Sequence, residues 1–369
     1  MTNVTLEPRA NPELHGQSAA LSVLRRALLS GRLPHGWLFT GPSGVGKATL
    51  AYRFARILLA APPTIDEDLT LPPDHPIFGH IAKGTHPDLK VIEPERDPKS
   101  GKVKPEITVD AVRATCGSLH STAAAGGRRL VIVDGAERLN RNAANAMLKP
   151  LEEPPPGAVL ILISHRPDLV APTLRSRCAR LHLRRLPERV IGDALARQAP
   201  DLPAEARLAI ARAAGGSLGR ALEMADPQWL GLYQRLATCL AEEQADVLAL
   251  HGLAGELARY AEPRNLAASA ALLQELVSRT VRTRLERGEA PLFAEEPGAL
   301  RQLAGRRPLE CWARLWEKIA RLVARVDGLN LDRTHALLHM LILLALPSGQ
   351  GTEAPGGGSR LTEAADVVG

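Results

Sequence analysis

Gly41-Pro42-Ser43-Gly44-Val45-Gly46-Lys47 fits the pattern GxxxxGK. It stands between a short apolar run, Trp37–Thr40, and a segment, Ala48–Ala60, in which Leu50, Phe54, Ile57 and Leu58 recur at helical spacing. The chain is thereby committed to a strand, a glycine loop and a helix in that order. Such a loop turns its backbone N–H groups toward one point, the helix adds the positive end of its dipole, and Lys47 adds a cation. The candidate nucleotide-binding residues are therefore Gly41, Pro42, Ser43, Gly44, Val45, Gly46, Lys47, Ala48 and Thr49.

The first half continues in the same style. Asp88–Ile92 and Leu130–Asp134 read as strands, Asn142–Leu151 as a helix with Ala144, Met147, Leu148 and Leu151 on one face, and Gly157–Ser164 as a buried strand. Strands alternating with helices predict an α/β fold, a parallel sheet with helices on its faces. Ala61–Pro105, rich in Pro, Asp and Gly, reads as an irregular surface insertion. Beyond Pro187 strand signals stop. Pro203–Ala214 is a predicted helix closed by Gly215 and Gly216, with Ser217 capping the next; Leu273–Leu285 and Cys311–Val326 are further predicted helices. The segment from Pro347 to Gly369 has too little apolar surface to fold and is expected to be disordered.

The phosphate loop departs from a hydrolytic one at Ala48, where a Ser or Thr would ligate Mg²⁺. Thr49 is no obvious replacement, because one more helical step turns its side chain ~100° away. Asp134, at the end of its apolar strand, is the acid that would hold Mg²⁺ through water.

Asp134-Gly135-Ala136-Glu137-Arg138-Leu139-Asn140, Ala143–Lys149, Leu151-Glu152-Glu153-Pro154-Pro155 and Thr173-Leu174-Arg175-Ser176-Arg177-Cys178 carry a longer likeness. On these residues the chain resembles the AAA+ clamp-loader family of bacterial DNA polymerase III, in the stretch shared by delta-prime and gamma/tau subunits. The resemblance implies a AAA+ P-loop domain over 1–186, a helical lid over 187–226, a helical collar over 227–346 and a tail over 347–369. It would place a water-polarising Glu at the position of Gly135; Glu137 comes two residues later, where turn geometry does not aim it at the same point.

The Ser-Arg-Cys segment implies that Arg177 is a catalytic arginine finger, lent across a subunit boundary to the gamma-phosphate of a neighbour's ATP. A planar guanidinium fork suits that task. The plain reading of a single Arg is a surface ion pair. Ser164 is either the family's sensor-1 polar residue or a strand-end cap, and Arg220 in Gly216–Ala221 either a sensor-2 residue or a solvent-facing Arg on a capped helix. Leu14-His15-Gly16-Gln17 resembles the segment beside the adenine. Pro150 cannot donate to the carbonyl of Ala146, which predicts a kinked or loosened last turn in its helix. Cys178 reads as a packed residue, not a nucleophile.

The cofactor expectation is ATP weakly bound or absent, no firm hold on Mg²⁺, and no zinc. Many similar proteins carry a four-cysteine zinc module, whereas Ala61–His86 has no cysteine, and Asp74, His75, His80 and His86 match no ligand spacing. The implied partners are gamma/tau-like ATPase subunits and a delta subunit in a hetero-pentameric ring, with the sliding clamp and primed DNA met through the complex. The implied function is a ring partner of the delta-prime type, with negligible ATPase activity by itself, in a complex that has DNA-directed DNA polymerase activity. The alternative is an autonomous gamma/tau-like motor, favoured by the intact loop, Lys47 and Asp134 and opposed by Ala48 and Gly135. A small-molecule kinase would leave the Ser-Arg-Cys segment and the helical second half unexplained.

Composition adds limits. With 45% hydrophobic but only 3% aromatic residues, the 369-residue chain must build its cores from Leu, Ala, Ile and Val. The formal charge of +6 is spread over Arg pairs such as Arg25/Arg26, Arg128/Arg129 and Arg184/Arg185, which fit solvated helix faces or phosphate contacts. Cys116, Cys178, Cys239 and Cys311 form no CxxC pair, Met1–Asn11 lacks a signal-peptide pattern, and no stretch approaches ~20 apolar residues; a cytoplasmic protein with no membrane contact is expected.

Overall fold

The computed structural model describes residues 7–95, 103–117, 119, 127–242, 246–261, 266–286, 290–329 and 332–346. The expected disordered tail, 347–369, lies outside them.

Strands β1 (Gly36–Thr40), β2 (Leu89–Ile92), β3 (Arg129–Asp134), β4 (Ala158–Ser164) and β5 (Ala179–His182) form one sheet in the order β2-β3-β4-β1-β5. All pairings are parallel. Successive side chains point to opposite faces. Trp37, Phe39, Leu130, Ile132, Ile161 and Ile163 therefore enter one core, with α1 (Ser18–Leu29) and α2 (Lys47–Ala60) over them. Leu38, Val131, Val133, Leu160 and Leu162 enter the other, under α4 (Val109–Gly117) and α5 (Arg141–Glu152). Burial on both faces is why these strands read as unbroken apolar runs.

Because β4 lies between β1 and β3, Thr40 pairs with Ser164 and Asp134 with Ile163. The strands bearing the loop and the acid therefore end at one sheet edge, with the end of β4 between them. Helix α5 begins where Asn140 Oδ1 accepts from the Ala143 N–H at 2.9 Å, and it runs through Pro150 to Glu152.

Ala61–Pro105 requires a correction. Its described part holds a helix, α3 (Pro76–Ala82), and sends Leu69, Leu71 and Phe78 into the core beside α2. His75 caps that helix, Pro76 fits its first turn, and Phe78 and Ile81 share its buried face, so a few residues suffice. Arg53 and Arg56 of α2 hold the flanking chain: Arg53 Nη1 donates to the Asp68 carbonyl at 2.7 Å, and Arg56 Nη1 to that of Asn11 at 3.0 Å. The Arg56 guanidinium lies 3.9 Å over the Phe78 ring, and burial lowers its pKa to about 10. His86 Nδ1 accepts from the Asp88 N–H and His80 Nδ1 pairs with the Thr85 hydroxyl. Among the described residues no group of His, Cys, Asp or Glu is arranged to hold a metal ion.

The chain divides into two compact units, Met1–Ala194 with Gly215–Leu222, and Leu195–Ala214 with Glu223–Gly369. The first also contains the short helix α6 (Pro172–Arg175). Helices α7 (Glu188–Gln198) and α9 (Leu218–Glu223) straddle the two divisions. The second unit is helical: α8 (Ala204–Ala213), α10 (Trp229–Ala241), α11 (Val247–Ala261), α12 (Leu266–Arg284), α13 (Glu296–Gly305), α14 (Leu309–Leu329) and α15 (Arg333–Ala345). Its core contains a charge pair, Arg279 Nε to Glu296 Oε1 at 2.7 Å, and Glu296 also accepts from the Tyr233 hydroxyl at 2.8 Å and the Leu292 N–H at 2.6 Å. A buried pair persists when its remaining lone pairs are satisfied in this way. Among the described residues no helix is long and apolar enough to cross a membrane.

Candidate nucleotide-binding site

The glycine loop joins β1 to α2, as its sequence requires, and Lys47 is the first residue of that helix. Lys47 is only 3% exposed. Its ammonium donates to the carbonyls of Gly41 at 2.7 Å and Pro42 at 2.5 Å, so the cation is satisfied by its own loop. Burial lowers its pKa to about 8, against the opposing fields of Asp134 and Glu137.

The chain packs closely around the loop. A methyl group on Gly41, whose φ is +141°, would stand 2.3 Å from the Leu183 carbonyl oxygen. Gln17 Nε2 donates to the Val45 carbonyl at 3.2 Å and to that of Arg184 at 2.8 Å, which lays the Leu14–Gln17 segment against the loop. Ser43 is exposed, while Ala48 and Thr49 continue into α2, half-buried.

Gly216–Ala221 also meets the loop. The Gly219 N–H donates to the Gly44 carbonyl at 2.9 Å, and a Cβ on Gly219 would lie 3.0 Å from the Gly44 Cα, so neither position has room for a side chain. Ser217 caps α9 by accepting from the Arg220 N–H at 3.2 Å, which leaves Arg220 half-buried one residue beyond the contact.

At the end of β3, Asp134 has a raised pKa, chiefly from burial and next from Glu93, with Lys47 pulling the other way. Gly135 follows in a left-handed conformation, φ 88° and ψ 50°. A non-glycine residue there costs roughly 1–2 kcal/mol, so the backbone itself disfavours a glutamate at this position. The turn carries Glu137 across to β4, where its Oε1 accepts from the His165 N–H at 3.3 Å; Glu137 Oε2 is buried with no hydrogen-bond partner among the described residues. Ser164 is fully buried and its hydroxyl accepts from the Arg166 N–H at 3.1 Å, the geometry of a strand-end cap. His165 has a lowered pKa from burial and, next, from Lys47.

The structure thus brings Lys47, Asp134, Ser164 and the Gly216–Ala221 segment to one sheet edge. Glu93 and His165 belong to no motif in the sequence. Each directly follows the end of a strand at this edge, and that position was the available signal. The loop can offer N–H groups to an anion. No acid follows Asp134 directly to polarise water.

Arg177 is elsewhere. Its carbonyl lies 3.2 Å from where a Cβ of Gly36 would be, at the amino end of β1, and β5 starts two residues later. The loop leaves the other end of β1, about 13 Å along a strand of this length. Arg177 Nη2 pairs with Glu152 Oε1 at 2.5 Å, and Nη1 donates to the Thr173 carbonyl at 3.1 Å and the Ser176 hydroxyl at 3.4 Å. Cys178 is buried in the core, which raises its pKa to about 11 and keeps it a thiol.

Residues 16–187 match the family model described as DNA polymerase III, delta subunit. The chain is 40% identical over 183 residues to DNA polymerase III subunit delta' of Pseudomonas aeruginosa, covering 50% of this chain and 53% of that protein. It is 35% identical over 201 residues to the Escherichia coli subunit delta', covering 53% and 55% respectively. With Escherichia coli subunit tau the identity is 29% over 229 residues, 59% of this chain and 33% of that one. The chain matches about half the length of its curated delta' relatives.

Proposed function

Over residues 16–187 the chain is homologous to the delta-prime and tau/gamma subunits of DNA polymerase III, a AAA+ clamp-loader family, and from that premise we propose that it is a delta-prime-like ring partner. In this reading it sits beside a gamma/tau-like ATPase subunit, presents Arg177 to that subunit's ATP, and helps a cytoplasmic complex containing a delta subunit load the sliding clamp onto primed DNA. Residues 187–226 act as the lid and 227–346 as the collar. Its own loop binds ATP weakly or not at all, and hydrolysis happens next door.

The observation that carries the reading is the separation of Arg177 from its own loop by the length of β1. A guanidinium there cannot stabilise charge on a phosphate in the home site, yet it is 37% exposed and reachable by another chain. Ala48 and the left-handed Gly135 support the second half of the proposal, since one removes the metal's hydroxyl and the other disfavours a general base. The gamma/tau-like alternative draws on Lys47, Asp134 and the tau relatives.

The test is ATP turnover by the complex reconstituted with gamma/tau-like and delta subunits on primed DNA. Fingers in other NTPases accelerate turnover by about 10³–10⁵. Arg177→Ala is therefore expected to silence the adjoining site and lower total turnover severalfold without preventing assembly. Unchanged turnover would reject the proposal.

A further inference from the structure

We infer that Glu152 is the positioning residue for Arg177, an inference that rests on the finger role proposed above. Glu152 is the last residue of α5, and its backbone is fixed from several directions. His35 Nε2 donates to the Leu151 carbonyl at 2.8 Å, the Glu153 N–H donates to that of Lys149 at 2.9 Å, and the Leu151 side chain is buried against the start of β1. Pro150 removes one helical hydrogen bond from this turn, and the bond from His35 ties the turn to the chain just before β1 instead. The carboxylate is carried on a platform that the sheet itself holds.

Arg177 rises from the turn after α6 to meet it. Its terminal nitrogens are engaged at three points: Nη2 in an ion pair with Glu152 Oε1, and Nη1 in hydrogen bonds to the Thr173 carbonyl and the Ser176 hydroxyl. Nε has no partner among the described residues. The guanidinium is thus held at three points, and both side chains stay more than one-third exposed, 37% for Arg177 and 45% for Glu152. An ion pair this exposed contributes little to global stability. What it supplies is geometry. An Arg side chain otherwise samples many rotamers, whereas charge already in place when the transition state forms needs no reorganisation. A phosphate oxygen from another chain would then meet an exposed guanidinium already held in place by Glu152.

The experiment compares wild type, Glu152→Ala, Glu152→Gln, Arg177→Ala and the double Ala variant in the full reconstituted complex, reading kcat and KM for ATP together with each subunit's Tm. Glu152→Ala is expected to lower kcat about threefold at unchanged KM, with Tm within about 2 °C of wild type. Glu152→Gln, which keeps an acceptor oxygen, recovers most of that loss. In the Arg177→Ala background Glu152→Ala adds nothing, because the side chain it positions is gone. If Arg177→Ala lowers kcat while Glu152→Ala leaves it unchanged or raises it, the positioning role is wrong and the finger stands. If Glu152→Ala costs the same in both backgrounds, it acts through the fold and the inference is likewise overturned. If Arg177→Ala itself changes nothing, the finger reading fails and takes this inference with it.

Discussion

At the carboxyl ends of β1, β3 and β4 the polar groups are turned on one another, whereas at the amino end of β1 a guanidinium faces outward. Lys47 donates to Gly41 and Pro42, Glu137 Oε1 accepts from the His165 N–H, and Gly219 donates to Gly44, so the edge that would cradle a nucleotide is satisfied largely from within, Glu137 Oε2 excepted. Arg177 is tied by Glu152, Thr173 and Ser176, but its side chain is 37% exposed. One sheet thus carries a closed edge and an open one. The same strand sets both: the glycine loop leaves its far end, while Gly36 at its near end admits the backbone of Arg177 and the side chain of Leu151. The contrast teaches that a phosphate-loop sequence fixes a backbone path without fixing what that path is used for.

The closed edge can be broken most severely at Gly41. Gly41→Ala forces a methyl group to 2.3 Å from a backbone oxygen at a φ of +141°. Overpacking and backbone strain together are expected to cost ~4 kcal/mol, read as a lower urea midpoint with an unchanged slope. A midpoint near that of the wild type would mean that the loop is loosely held.

A smaller effect sharpens the same contrast through pH. The folded chain releases the Lys47 proton near 8, its pKa lowered by burial, while the unfolded chain keeps it until near 10.5. Between those values the unfolded state binds more protons, so the lysine's contribution to stability rises with pH. Relative to Lys47→Met, the unfolding free energy of wild type is expected to climb by up to ~3 kcal/mol from pH 8 to 10.5. A flat difference would show that the ammonium is solvated and the edge open.

Much of this was legible in the sequence because its chemistry is consecutive there. Gly41–Lys47 and Leu130–Asp134 each name their element in a few residues, and Thr173–Cys178 carries the family likeness in six. What could not be read depends on closure in three dimensions. The acceptors of Lys47 are carbonyls, which every residue has, so nothing in the sequence marks Gly41 and Pro42 for that role. The left-handed turn at Gly135 makes the missing glutamate a property of the backbone and not only of the side chain. Glu152 was visible within Leu151–Pro155, but its tie to Arg177 arises only when α5 and the turn before β5 meet at the start of β1. Strand β5 and helix α3 are too short for periodicity to report, and the core positions of Leu69, Leu71 and Phe78 lay inside a segment whose Pro and Gly content pointed to a loop.

The most direct test is steady-state ATP hydrolysis by the purified chain alone with Mg²⁺. The expected result is turnover far below the ~1 s⁻¹ at the low end of ordinary enzymes, because the home site has neither the hydroxyl after Lys47 nor an acid after Asp134. Turnover near or above ~1 s⁻¹ from the chain by itself would contradict the account.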